Sequence, residues 1–565
     1  MGVCAMHNRQ NILSVNLEDY FQVAPMRQVI PHRYWPRFEL RIEKSTGEVL
    51  DLLDRYGARA TFFSVGWLAE RCPDLIAEIS RRGHEVASKG YFHRNFSQMC
   101  LDELRDDFLR SRDAIEKATG ETVLGYRMAE GSLPADDIAP YRVLAEAGVR
   151  YDSSLRPFGP RFIGKPQQRR IHEISGDGWS ITEVPLSSDT FLGVPIPVTG
   201  GNYMRQLPRG LHEGRVAAWH QHHDEPWHFY FHSWELDPDQ PRVSATTRLG
   251  RLRQYRNLDE MRERIEGWLE RYSFRSIAEH LQLAIEPAPV RAAREATPIV
   301  VKTNAPTREV QKVTIVTPCY NEEETLPYLA STLASVEREN EGLYEFSYVF
   351  VDDGSKDGTW NKLHELFGGK ENVQLIRHQV NRGIAAATMT GIRAARDEIV
   401  CGIDCDCSFD PHLLAKMIPL LTPGVDMVQA SPYHRDGGVL NVPAWRLALS
   451  KGVCLIYRHI LNHAFSSYTA CFRVYRRSKV LGMKLDDEGF MGIMEIFVRL
   501  DQSNARIVEF PAVLESRLIG HSKMKVVRVI RNHLGLIRRL VLRRRGDRTF
   551  AIPATPATGN SRYGS

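Results

Sequence analysis

Residues 286–312, EPAPVRAAREATPIVVKTNAPTREVQK, are rich in Pro, Ala and Thr and follow neither a helical nor a strand period, so they divide the chain. At 565 residues the chain is also too long for one hydrophobic core. On both sides of the divide, short β-branched runs alternate with helical patterns, which predicts two α/β domains with largely parallel strands. The expected boundaries are 1–286 for the first domain, 287–311 for the linker, 312–546 for the second domain and 547–565 for a disordered tail rich in Pro, Ala, Thr, Gly and Ser.

A hydrophobic content of 43% and a charged content of 25% are those of an ordinary globular chain. The nine cysteines are scattered without a CxxC pair, which excludes a disulfide scaffold and points to a reducing compartment. Met1–Gln10 has no apolar core of a signal peptide, and no run reaches the roughly 18 apolar residues of a spanning helix. A cytoplasmic protein is expected, soluble or held at the inner face of the membrane. The net charge of +5 is small but concentrated near the end, where Lys523–Arg545 carries nine Lys or Arg and no acid. Val526, Ile530, Leu534, Ile537 and Val541 recur there at helical spacing, the pattern of a helix that lies on an anionic membrane or packs on its domain with a solvated basic face. Nothing resembles a nucleic-acid recognition module, so no nucleic acid partner is expected.

After the divide, Lys312–Thr317 reads as a buried strand, followed by Pro318-Cys319-Tyr320-Asn321-Glu322-Glu323 and a helix to about Val336. Phe346–Val351 is a second strand, ending in Asp352-Asp353-Gly354-Ser355 and leading to a helix over Asp357–Phe367. Strand Val373–Arg377, the turn Asn381-Arg382-Gly383, helix Ile384–Arg396 and strand Ile399–Ile403 come next, ending in Asp404-Cys405-Asp406. Ligands of such sheets bind beyond the carboxyl ends of the strands, where these polar groups gather. Two carboxylates at i and i+2 suit one divalent ion shared with a diphosphate, while Cys405 between them reads as an inert small hydrophobe.

The ordered set PCYNEE, VDDGSKDGT, NRG and DCD resembles family 2 glycosyltransferases, in particular the polyprenyl-phosphate sugar transferases similar to dolichol-phosphate mannose synthase, over about Lys312–Leu540. The resemblance implies a GT-A fold and a nucleotide-sugar donor. Donor-binding residues would be Pro318, Tyr320, Asn321, Glu322, Asp352, Asp353, Gly354, Ser355, Arg382 and Gly383. Asp404 and Asp406 would hold Mg²⁺ or Mn²⁺ on the donor diphosphate. Ser467–Arg476 looks like the acceptor-side segment and Arg517–Lys525 like the phosphate-contacting loop. Pro432 replaces an expected Arg, so a polyprenyl phosphate or glycan acceptor would rest on Arg435, Arg446, Arg473 or Arg517, with Ser522 and Lys523. The catalytic set is then Asp404, Asp406, Arg473 and Glu495, with Asp487 and Glu488 as further candidates for a base. A hydroxyl acceptor needs a base, whereas a phosphate acceptor is already anionic.

Before the divide, strand Ile12–Asn16 leads into Leu17-Glu18-Asp19, and RATFF, GHEVASKGYFH, GYR, YDSS and FYFHSWEL follow in order. This series resembles polysaccharide deacetylases of carbohydrate esterase family 4, with the NodB-homology distorted (β/α) barrel, over about Asn11–Leu283, in the branch associated with bacterial exopolysaccharide loci. The resemblance implies a degenerate site made of Asn16, Glu18, Lys89, His93, Arg127, Asp152 and His232. An active relative would carry Asp at 16 as base and His at 89 as metal ligand. An amide takes no proton near neutral pH, and an ammonium does not bind a cation, so Zn²⁺ is not expected; a Glu18–Lys89 ion pair is expected instead. Three functions stay open: a glycosyltransferase with an inactive deacetylase-like domain, an enzyme that also de-N-acetylates amino sugars, and a non-catalytic organiser of a polysaccharide assembly complex.

Overall fold

Strand β1 (Gln10–Leu17) is buried along all but its first residue, as happens when both faces of a strand are covered. The computed structural model describes residues 9–27, 29–129, 133–134, 136–289, 310–440, 442, 444–515, 517–520 and 531–539. Among these residues there are two compact units. The first takes the described residues up to Trp35, Leu40–Pro241 and those from Thr246 to 289; the second takes Pro36–Glu39, Arg242–Ala245 and those from 310 onward. Ser522 and Lys523, the tail from 547 and most of the linker lie outside the described residues.

In the first unit β1 is followed by β2 (Thr61–Ser64), β3 (Glu85–Ser88), β4 (Gly125–Tyr126), β5 (Tyr151–Asp152), β6 (His172–Gly176) and β7 (Trp179–Glu183). A hairpin, β8 (Ser188–Phe191) and β9 (Val194–Pro197), precedes β10 (His228–His232) and β11 (Ser273–Arg275). Nine of these strands form one sheet in the order β10-β1-β2-β3-β4-β5-β7-β6, with β11 pairing β1. All its pairings are parallel except β6 with β7. Helices such as Ile42–Arg55 and Leu101–Thr119 make the crossovers; the first turns Val49, Leu50, Leu52 and Leu53 inward at helical spacing. No pair among the described strands joins the two sheet edges, so the barrel is open.

The second unit contains β12 (Gln311–Cys319), β13 (Tyr344–Asp352), β14 (Val373–Arg377), β15 (Ile399–Gly402), β16 (Met427–Ser431), β17 (Gly438–Leu440), β18 (Arg473–Arg476), β19 (Ile507–Pro511) and β20 (Val513–Glu515). Its seven-stranded sheet runs β14-β13-β12-β15-β18-β16-β19, beside a β17-β20 pair. Alternation along β12 sends Val313 and Ile315 into one core with helices Leu326–Glu339 and Thr359–Phe367, and Val316 into another with helices Ile384–Ala394 and Phe490–Gln502. The α/β class is as the sequence predicts, but the sheet is mixed: β18 runs antiparallel to both β15 and β16. Among the described residues no helix is long and apolar enough to cross a membrane.

His84, just before β3, is 3% exposed, and its Nδ1 accepts the Ala60 N–H at 3.3 Å. Burial, with Arg59 next, pushes its pKa down to about 4. The unfolded chain takes up that proton below about pH 6.5, so the stability tied to neutral His84 is complete above that pH and is lost as pH falls toward 4. The expected difference is on the order of 1–3 kcal/mol. Thermal unfolding of His84→Gln should show a shallower acid dependence than the unaltered chain; parallel curves would contradict this.

Candidate functional site

Register places the site of the second unit. Cys319 on β12 pairs with Asp352 on β13, and β15 lies on the other side of β12, so the carboxyl ends of three parallel strands adjoin. Asn321 donates its backbone N–H to Ser355 Oγ at 2.8 Å and accepts the Lys356 N–H on Oδ1 at 2.7 Å. Its φ of 52° is a left-handed conformation that Asn tolerates. Asp352 is fully buried, with Oδ1 accepting the Ser355 N–H at 2.9 Å and Oδ2 3.1 Å from Arg377 Nε. Asp353 Oδ1 accepts the Arg382 N–H at 3.0 Å, and Oδ2 accepts the Gly383 N–H at 2.7 Å. His378 Nδ1 lies 2.7 Å from Asp353 Oδ1. Two turns are therefore tied to one aspartate. Gly354 (φ 69°) and Gly383 (φ 115°) have no room for a side chain: a Cβ would come within 2.6 Å of the Val380 carbonyl carbon and 2.5 Å of Glu488 O.

The turn after β15 gathers charge. Asp404 is pushed up to about 7, first by burial and then by Asp406. Arg517 Nε donates to Asp406 Oδ2 at 2.8 Å, while its Nη1 and Nη2 reach Glu322 Oε2 and Oε1 at 3.1 and 2.9 Å. Asp406 Oδ1 accepts from Ser408 N–H and Oγ. One guanidinium thus spans the PCYNEE turn and the DCD turn, against three crowded carboxylates. That excess of negative charge fits a divalent cation shared with a diphosphate. Burial pushes the Cys401 and Cys407 thiols up, and a hydrogen bond with Cys319 followed by burial does the same to Cys405, so all three are protonated, unreactive thiols here.

Several expectations change. Arg473 is fully buried, donating from Nε to Gln429 Oε1, from Nη1 to Ile493 O and from Nη2 to Tyr468 O, each at 2.9 Å. It binds the centre of the sheet to the neighbouring helix and segment and is closed to an acceptor phosphate. Glu495 is also spent on structure: Oε2 accepts the Asp486 and Asp487 N–H groups, and Oε1 accepts from Arg499 Nε at 2.9 Å and from Arg499 Nη2, which leaves no free lone pair aimed at a substrate for a base. Arg435 is exposed beside Asp436, and Arg446 sits in the first turn of helix Ala444–Ile460 over the Trp445 ring. Of the four arginines considered for phosphate, Arg517 alone bonds predicted site carboxylates. Sequence reasoning missed Arg377 and His378, although both lie at the carboxyl end of β14, where the parallel-sheet rule directs attention.

In the first unit, Asn16, the last residue but one of β1, pairs with His232 at the end of β10, Lys89 follows β3 and Arg127 follows β4. These are the carboxyl ends of barrel strands. Lys89 Nζ donates to Glu18 Oε2 at 2.6 Å; His93 Nε2 is 2.7 Å from the same oxygen, and His232 Nε2 is 3.3 Å from Oε1. Burial pushes the Glu18 carboxyl up, but Lys89, His93 and His232 together hold it well below the usual range. His93 has φ 52°, a strained value of the kind found at ligand sites. Arg127 donates from Nε to Ser153 O, from Nη1 to Asn16 Oδ1 and from Nη2 to Ser153 Oγ, at 3.0, 3.1 and 2.8 Å. Asp152 does not line the cavity with them. Its carboxylate accepts from Ser154 N–H and Oγ and lies against Glu183, whose pKa burial and then Asp152 drive well up, so the pair shares a proton behind the site. Among the described residues no three His, Cys, Asp or Glu side chains are arranged to hold a metal ion.

The family model for polysaccharide deacetylase matches residues 35–151, that for a domain of unknown function (DUF3473) residues 153–282, and that for glycosyl transferase family 2 residues 314–481. The chain joins a polysaccharide deacetylase domain to a family 2 glycosyltransferase domain. It is 32% identical over 216 residues to a dolichol-phosphate mannosyltransferase of Pyrococcus furiosus, covering 38% of this chain and 59% of that protein's length. It is 29% identical over 228 residues to a polyprenol monophosphomannose synthase of Mycolicibacterium smegmatis, covering 39% of this chain and 83% of that one. The structure of glucosyl-3-phosphoglycerate synthase from Mycobacterium tuberculosis, in complex with Mn²⁺, uridine diphosphate and glucosyl-3-phosphoglycerate, is 18% identical, with a TM-score of 0.31, over 41% of this chain and 80% of that one.

The two roles given to arginine separate by experiment. Arg473→Met strips three buried acceptors of a charged donor and should cost about 3 kcal/mol or more in denaturant unfolding. Arg517→Met leaves Glu322 and Asp406 without their cation, so its loss of stability should be partly restored by a divalent cation, whereas that of the Arg473 variant should not. Equal stability of the Arg473 variant and the unaltered chain would contradict the structural role.

Proposed function

We propose that this chain is a glycosyltransferase that moves a sugar from a nucleotide-sugar donor to a polyprenyl phosphate or glycan acceptor in bacterial polysaccharide or cell-envelope synthesis, and that its deacetylase domain does not hydrolyse. The observation that carries the reading is the convergence of the Asp353 clamp, the Asp404–Asp406 pair and Arg517 on adjoining strand ends. Asp352 and Asp353 hold the nucleoside. Asp404 and Asp406 hold Mg²⁺ or Mn²⁺, which offsets charge on the departing diphosphate. Transfer passes through an oxocarbenium-like state, so charge placement matters more than a nucleophile on the protein. Arg517, once released from Asp406 and Glu322, is placed for the phosphates. The engagement of Glu495 by two backbone N–H groups and Arg499 favours an acceptor that brings its own negative charge, which a phosphate does and a hydroxyl does not. Residues 531–539 are helical and pack on the domain through His533, Leu536 and Ile537, which leaves Arg531, Arg538, Arg539 and Leu534 exposed as the face that would meet anionic lipid.

The reading of the first domain rests on Lys89. Its ammonium takes the Glu18 oxygen that a zinc ion would need, and Asn16 is engaged by Arg127 and has no basic oxygen to activate water. These residues do not fit zinc.

Asp406→Ala should lower transfer from the accepted nucleotide sugar about a hundredfold or more with the circular dichroism spectrum unchanged. Undiminished transfer in that variant, and equally after EDTA treatment, would refute the assignment.

A further inference from the structure

Arg242–Ala245 precede the divide in sequence, within the stretch 153–282 matched as DUF3473, yet they belong to the second unit. What they meet there is the segment that carries Arg517. Ser244 donates its backbone N–H to Leu518 O at 2.8 Å and its hydroxyl to the same oxygen at 3.2 Å, and Val243 forms an antiparallel bridge with Ile519. Val243, Leu518 and Ile519 are all buried. A buried main-chain pairing fixes the path and the register of a segment, and a slip of one residue turns its side chains to the opposite face.

Arg517 stands between two such ties. Before it, Glu515 donates its backbone N–H at 2.9 Å to O of Ser408, the residue whose own N–H bonds Asp406. After it comes the tie of Leu518 to Ser244. Between them one guanidinium reaches Asp406 with Nε and Glu322 with Nη1 and Nη2. That fork is rigid, so its aim depends on where the backbone of Arg517 is held, and a misplacement of about 1 Å costs a binding site much of its effect. The first tie lies within the stretch 312–546 expected to form the transferase domain. The second does not. We propose that the Val243–Ser244 backbone is a positioning element for Arg517, so that the grip on the donor diphosphate depends on a segment outside the glycosyltransferase stretch of the sequence. The inference rests on the reading that Arg517 serves the donor phosphates.

Calorimetry on the full chain at saturating Mn²⁺, with UDP and GDP as probes of the nucleoside diphosphate class, tests this with Arg517→Met, Ser244→Pro, Ser244→Ala and the combination of Arg517→Met with Ser244→Pro. Proline removes the N–H that Leu518 accepts, and alanine keeps it. Arg517→Met should weaken the better-bound nucleotide about tenfold or more. Ser244→Pro should weaken it by a similar factor, Ser244→Ala by no more than about twofold, and the combination by no more than Arg517→Met alone, because both changes remove one contact. Should Ser244→Pro not fold, Val243→Ala, which keeps every backbone N–H, gives the same test on a milder scale: a loss of about threefold that vanishes when Arg517 is Met. Ser244→Pro binding like the unaltered chain, or losses that multiply in the combination, would overturn the positioning role while leaving Arg517 at the phosphates. Undiminished binding by Arg517→Met would overturn the reading of Arg517 itself.

Discussion

A carboxylate taken out of water must find a cation or give up its charge, because the cost of burying it alone is several kcal/mol. Both sites of this chain are organised by that demand. In the first unit Glu18, 2% exposed, is met by Lys89. In the second, Glu322 and Asp406 are met by Arg517. The two solutions differ in depth. Lys89 is itself 4% exposed and fixed within its wall, whereas the Arg517 side chain keeps 19% exposure on a segment near the described end of the unit. A cation of the first kind is part of the fold; one of the second kind stays within reach of solvent and is the one that the proposed transfer reaction would displace.

That difference separates two fates of the same α/β logic. Each unit brings polar turns to the carboxyl ends of parallel strands, and each holds those turns with hydrogen bonds from backbone and side chain. In the second unit the turns leave Asp404 and Asp406 crowded and short of positive charge, which suits a site that works by binding a cation. In the first, Lys89 supplies the charge, Asn16 offers no basic oxygen, and what remains is a shaped cavity without a base.

The order of strands and helices around β12 and β13 was legible in the sequence, since β-branched runs and the turn residues after them mark parallel strand ends, and the exchange of His for Lys at 89 declared its own ion pair. The antiparallel insertion of β18 was not legible, because a short strand buried on both faces carries no sign of direction. Arg473 and Glu495 were misread for a related reason. A buried Arg that feeds carbonyls and a Glu that caps a loop look, in one dimension, like catalytic residues; only the register of β18 and the turn at Asp486–Asp487 show what they hold. Asp152 belongs with them, since its bonds to Ser154 and its contact with Glu183 hold it behind the cavity, which its motif does not show. Arg377 and His378 were visible as residues but carried no motif, and their role appears only when β14 is seen beside β13.

The claim that Lys89 stands in for a metal ion is tested most directly by the zinc content of the full chain after saturation and desalting, measured by mass spectrometry beside Asn16→Asp/Lys89→His. The ion pair predicts well under one zinc per chain in the unaltered protein and about one in the double variant, because removing the ammonium returns Glu18 and His93 to a metal. One zinc per unaltered chain, lost on Glu18→Gln substitution, would contradict the account.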